Sequence, residues 1–332
     1  ADWFDNGNWQ RLHLHAMLPQ DDRVQGSWRE LFGRGINTTN RLIKSFEEAG
    51  QDPATSPAIA ELRGLRAMIY FWLMDLYGNV PLQKSFDETD LSNGSGTDYS
   101  QRTEVYNFLV DELVAIIPNL EGLPISSDNS RFNEWAAKML LAKLYLNENV
   151  YTTAPTNGSY KQAGAPALGA VVSLTTDVID NGGYNLASDY FANFDANSIA
   201  SSENIFVIVF DQVFSGGMNL NMRTLHYGSQ DTYNFTAQPW NGYCTLQEFY
   251  ESFDGATDKR FGDITYGDPG WTGETVGNPD QNTTARAMFV VGPQLKSDGS
   301  PINDDSQYDE PDGAPLIFTP YVNEIGPSAW RQ

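Results

Sequence analysis

Residues 62–82 read LRGLRAMIYFWLMDLYGNVPL. Leu62, Leu65, Ile69, Leu73 and Leu76 recur at spacings of three and four. That is the stripe of an amphipathic helix turned toward a core. Ala67, Tyr70, Phe71 and Trp72 widen the stripe, so little of this helix is expected to face water. The helix is expected to stop at Tyr77-Gly78-Asn79, because Gly78 can turn left-handed without a Cβ clash. Pro81 then forbids renewed helix. Taken by itself, the stripe is a core helix, since most such side chains are buried for packing alone.

Working outward, residues 83–100 read as a polar loop ending in SNGSGTDYS. After it Val105, Phe108, Leu109, Leu113, Ile116 and Ile117 keep helical spacing, with Pro118 and Gly122-Leu123-Pro124 as the stop. Residues 129–147 predict a helix whose face mixes Ala136, Ala137 and Ala142 with Leu140, Leu141 and Leu144. A further helix is predicted over 166–180, closed by Gly182-Gly183. On the N-terminal side, residues 27–49 predict one helix, with Ser27 as its cap and Glu30 completing a capping box. Leu12 and Leu14 alternate with Arg11, His13 and His15, which is strand-like. The β-branched run over 202–210 favours a strand. From 211 onward helix signals fade into Gly, Asn, Asp and aromatics, with a short strand expected near 287–291. Helical pairs with small residues between large ones suggest a tetratricopeptide-like scaffold, which needs neighbouring pairs to bury its faces.

The composition narrows the partners. The chain has 332 residues and a net charge of −23, from 43 acidic and 20 basic residues. Such a field repels nucleic acid phosphates and anionic lipid, and it tolerates a neutral ligand such as a polysaccharide. The 8 Trp and 16 Tyr offer flat faces with polar edges, although such residues also fill cores. Cys244 is the single cysteine, so neither an internal disulfide nor a cysteine-based zinc site can form. No apolar run is long enough to span a bilayer as a helix.

Catalytic and metal motifs are absent. There is no H-E-x-x-H, G-x-S-x-G or P-loop pattern, and Gly94-x-Gly96 is no dinucleotide fingerprint. His13 and His15 share a face only if extended, and no third ligand is fixed beside them. The acidic residues over 298–312 lack the EF-hand pattern and read as a solvated loop. No cofactor is expected. The residues that stand out are aromatics in loops: Trp3 and Trp9 about the turn at Asn6-Gly7, and Trp240-Asn241-Gly242-Tyr243 after Pro239. With Asp2, Arg11 and Asn241 as polar neighbours, Trp3, Trp9 and Trp240 form the candidate ligand platform.

Arg63-x-x-Arg66-Ala67, Tyr70-Phe71 and Leu76-Tyr77-Gly78-Asn79-Val80-Pro81-Leu82 together resemble the signature helix and turn of the SusD/RagB family. Tyr145-Leu146, Ser202-Glu203-Asn204-Ile205 and the Asp258-x-Arg260 pair extend the resemblance over roughly residues 1–265. It implies a mainly α fold and one SusD-like domain over 1–332, truncated at both ends. The helical scaffold would be mainly 24–182, and the loop-rich ligand-binding and accessory regions would be 1–23 and 183–332. The resemblance further implies a lipid-anchored protein of the outer-membrane surface, outside the cytoplasm. Such a protein captures polysaccharide or oligosaccharide for a SusC-like TonB-dependent transporter and is not an enzyme. It also implies that Arg63, Arg66 and Tyr77 are structural. An acidic glycoside hydrolase and a helical-repeat adaptor for protein partners are the alternatives.

Overall fold

The computed structural model describes residues 7–86, 98–123, 129–153, 165–194 and 201–210, with shorter stretches beyond. The chain divides into two compact units. One comprises Leu18–Leu186 and Ile199–Ile208, and the other comprises Ala1–Met17, Ala187–Ser198 and Val209–Gln332.

The first unit is helical. Helix α2 (Asp22–Trp28), a π-helical segment (Arg29–Ile36) and α3 (Asn37–Glu48) run on without a break. They lead to α4 (Pro57–Tyr77), the strand β1 (Val80–Pro81) and its antiparallel partner β2 (Tyr99–Ser100). Then come α5 (Arg102–Leu120), α6 (Glu134–Leu146), α7 (Glu148–Thr152) and α8 (Ala165–Asn181). Neighbours in sequence are neighbours in space: α3 packs on α4, α4 on α5, α5 on α6 and α6 on α8. This is the expected stack of helical pairs, and the chain is mainly α across its described residues.

Local chemistry sets the ends of α4. The Ser56 hydroxyl accepts from the Ile59 N–H, and Pro57 occupies the first helical position, where its missing donor costs nothing. At the other end Gly78 has φ +74°, and its N–H donates to the Met74 carbonyl at 2.9 Å. The buried face, however, is turned from the leucine stripe. Ile59, Ala60, Gly64, Arg66, Ala67, Tyr70, Leu73 and Met74 are buried, whereas Leu62, Leu65 and Ile69 are only half-buried. Small residues let the neighbouring chain come close: a Cβ on Gly64 would overlap the Phe132 ring. Leu73→Ala is therefore expected to cost about 2–5 kcal/mol in chemical denaturation. Leu76, 63% exposed, should lose little on the same change; equal losses at both positions would contradict this orientation.

Several expectations are corrected. The helix expected over 27–49 does not start at Ser27: the helical run begins at Asp22 and passes through a π-helical segment, Ser27 lies inside α2 donating to the Arg23 carbonyl, and Glu30 pairs with Arg34 instead of closing a capping box. Pro118 does not end α5, which runs through it to Leu120. It falls in the last turn on an exposed position, so the lost hydrogen bond is local. Residues 202–210 form no strand. The Val207 N–H donates to the Asn129 carbonyl, and the Ile205 carbonyl accepts from the Asn133 side chain. A loop and a helix cap have taken the bonds that a sheet would supply, and context overrides strand propensity.

The second unit holds the short helix α1 (Asn8–His13) and the 3₁₀ turn Tyr190–Phe194. It also has three short antiparallel ladders: Phe289–Val290 with Ala329–Trp330, Gly292–Pro293 with Ile317–Phe318, and Asn303–Asp304 with Ala314–Pro315. The first agrees with the strand expected near 287–291. Residues 9–17 are not strand-like: α1 takes the first half, and His13 and His15 do not share an extended face.

Candidate functional site

The signature residues form a buried charge cluster in the helical unit. Glu112 on α5 accepts from Arg63 Nε at 3.0 Å and from Arg63 Nη2 at 2.8 Å, and it also accepts from Arg66 Nη2. Arg66 Nη1 donates to Asn40 Oδ1 at 2.7 Å and to the Lys84 carbonyl at 2.5 Å. Asn40 Nδ2 donates to the Gln83 carbonyl, and the Tyr70 hydroxyl exchanges hydrogen bonds with the Gln83 backbone. Together they tie α3, α4 and α5 to the backbone that follows Pro81. Tyr77 donates to the Val24 carbonyl at 2.7 Å. Arg63, Arg66 and Tyr77 are thus structural, as the resemblance implies.

Burial works against ionising Glu112, but the hydrogen bonds and charges of Arg63 and Arg66 outweigh it and hold the carboxyl below its ordinary range. Burial raises the Tyr70 phenol well above its ordinary value. A recess of about 610 Å³ opens beside the cluster, lined by Arg63, Lys84, Asn107, Phe108, Asp111 and Glu112 among others. Its most buried carboxylate is the one committed to two arginines. A glycosidase needs a carboxyl held protonated near neutral pH, the opposite perturbation.

The aromatic candidates belong to the other unit. Trp9 sits half-buried on α1, which starts after Gly7 at φ +80°. Arg11 Nη2 donates to Asn8 Oδ1 at 2.7 Å, so this guanidinium is partly held by its own helix. Trp240 is 42% exposed, and its backbone N–H donates to the Met222 carbonyl. The Arg223 guanidinium lies 5.2 Å from the centre of the Trp240 ring. Asp2, Trp3 and Asn241 lie outside the described residues. Among the described residues, no group of three or more His, Cys, Asp or Glu side chains is placed to hold a metal ion, and no helix is long and apolar enough to cross a membrane.

No family model matches the chain. A SusD-like protein of Bacteroides ovatus is 26% identical over 193 residues, covering 57% of this chain and 33% of that protein. The starch-binding protein SusD of Bacteroides thetaiotaomicron is 27% identical over 211 residues, covering 64% of this chain and 35% of its own length. A crystal structure with a xylogluco-oligosaccharide superimposes with a TM-score of 0.68 at 19% identity, over 97% of this chain and 60% of the other. In sequence and fold the chain is similar to SusD-like proteins. Surface glycan-binding protein A of Bacteroides thetaiotaomicron, in complex with laminarihexaose, shares the fold at a TM-score of 0.61 and 19% identity, over 85% of this chain and 58% of that one. The chain spans about a third of the length of the curated relatives it matches.

Two residues, Glu112 and Arg223, are absent from the sequence expectations. Glu112 was legible in principle: it falls on the face of Val105, Leu109 and Ile116, so a charge stood on an apolar stripe. Arg223 carried no signal, being 17 positions from the indole that it meets.

Proposed function

We propose that the chain captures polysaccharide or oligosaccharide at the cell surface without cleaving it. The glycan then passes to a SusC-like TonB-dependent transporter in the outer membrane, where the whole protein is held by a lipid anchor. The observation that carries this reading is the match to the starch-binding protein SusD over 64% of the chain. The helical scaffold, shared with structures that hold oligosaccharides, supports it. Trp3, Trp9 and Trp240 stack on the apolar C–H faces of sugar rings, and Asp2, Arg11 and Asn241 bond the hydroxyls. A neutral ligand suits a chain of net charge −23.

Affinity electrophoresis through gels holding xyloglucan, laminarin or starch tests the reading, paired with an assay for new reducing ends. Retardation in at least one gel, with no sugar released on prolonged incubation, is the expected result. Release that depends on a single carboxylate would make the protein a hydrolase. Retardation in none of a broad glycan panel would leave the adaptor reading in its place.

A further inference from the structure

The geometry points to a second saccharide platform, on the helical unit, built from Tyr99 and Trp28. It rests on the glycan-binding reading above and uses residues of the helical unit, whereas the Trp9 and Trp240 candidates belong to the other unit. Tyr99 is 66% exposed, more than any other exposed aromatic residue among those described. Its backbone is nevertheless fixed, because it pairs with Pro81 in the β1–β2 ladder. Its ring lies 6.5 Å from that of Trp28, tilted by 38°. Trp28 is in turn stacked on Phe32 at 5.1 Å and set edge-on to Tyr77 at 5.2 Å. Tyr77 is anchored by its bond to the Val24 carbonyl. Four rings from three stretches of the chain thus converge, and the outermost is held open to solvent. A rigid exposed ring needs little ordering when a ligand arrives, which favours stacking.

The surroundings select the occupant. Gln25 and Arg29 flank Trp28 on its helical segment, and Asn79 and Asp98 flank the ladder; all four are exposed. Protein interfaces bury about 800 Å² per partner around a core poor in charge. One open ring on a surface with exposed amide and charged positions fits a sugar better: the ring covers a C–H face, and polar groups around it take hydroxyls. The chain's net charge again favours a neutral glycan.

Nitration by tetranitromethane, read by mass spectrometry, tests this on the intact chain. The probes are xyloglucan, laminarin and starch. A glycan that retards the protein should shield Tyr99 from nitration, and Tyr99→Ala should weaken retardation by about threefold to tenfold at unchanged melting temperature. If the protein is retarded by a glycan and Tyr99 nitrates equally with and without it, this platform does not exist, while the glycan-binding reading stands. If the wild-type chain is retarded by no glycan, that reading falls and the platform falls with it. If Tyr99→Ala lowers retardation and Trp240→Ala does not, the platform stands and the first site is misplaced.

Discussion

Glu112→Leu is expected to destabilise the helical unit by about 3–5 kcal/mol, among the largest effects of any single substitution here. The carboxylate is the counter-charge for two guanidinium groups. Arg63 is partly exposed and can swing to water, but Arg66 cannot, with a side chain only 6% exposed. Removing Glu112 leaves Arg66 buried with neutral acceptors alone, the Asn40 amide oxygen and the Lys84 carbonyl. Thermal melts and denaturant titrations measure the loss. Adding Arg66→Met to Glu112→Leu should recover some of it, because an apolar pair can replace a buried ion pair at little net cost. Recovery stays incomplete, since Asn40 and the Lys84 carbonyl then lose their donor. The pH dependence has a definite sign. The folded pKa of Glu112 is depressed, so its stabilising effect is present above the ordinary carboxylate range and is lost as pH falls through the lower folded value. The gap between wild type and Glu112→Leu should therefore narrow in acid. A gap that is small at neutral pH, or that widens in acid, would overturn the role assigned to the cluster.

The scaffold was legible because its signals are local and repeated. Helical spacing placed α4, α5 and α8 to within a few residues and the end of α6, whose start falls at Glu134 after the Asn133 cap and not at 129; Gly78 marked the end of α4 through its own backbone chemistry. Errors appeared where partners decide. The leucines of α4 predicted a face, but contact with Phe132 and Asn40 selected Gly64 and Arg66 for burial instead. Residues 205–207 looked like a strand and are bonded to Asn129 and Asn133, which no period reveals. The candidate binding residues were the hardest to read. An indole suited to stacking on sugar is chemically the same as one that fills a core, and its exposure depends on segments far away in sequence. Trp240 meets Arg223, and Tyr99 meets Trp28, across gaps that carry no periodic signal.

Trp240→Ala should weaken glycan retention by roughly tenfold or more while leaving the helical content unchanged. The indole is substantially open, and a guanidinium lies over its ring, so it is held in one orientation without being enclosed. An aromatic ring at the centre of a sugar contact contributes on the order of 2 kcal/mol when truncated, which corresponds to about thirtyfold in affinity. Trp240→Phe keeps a flat face of smaller area, so its loss should fall between wild type and alanine. Arg223→Ala leaves the ring but removes the group that orients it, and should weaken retention less than Trp240→Ala. Trp9→Ala is expected to act in the same direction as Trp240→Ala, and circular dichroism separates a lost contact from a melted α1, whose six residues are too few to be stable alone. Gels holding xyloglucan, laminarin and starch measure all four variants. A Trp240→Ala protein retained as strongly as wild type on every glycan that binds the parent would remove Trp240 from the site, and the platform would have to be sought among the other exposed rings.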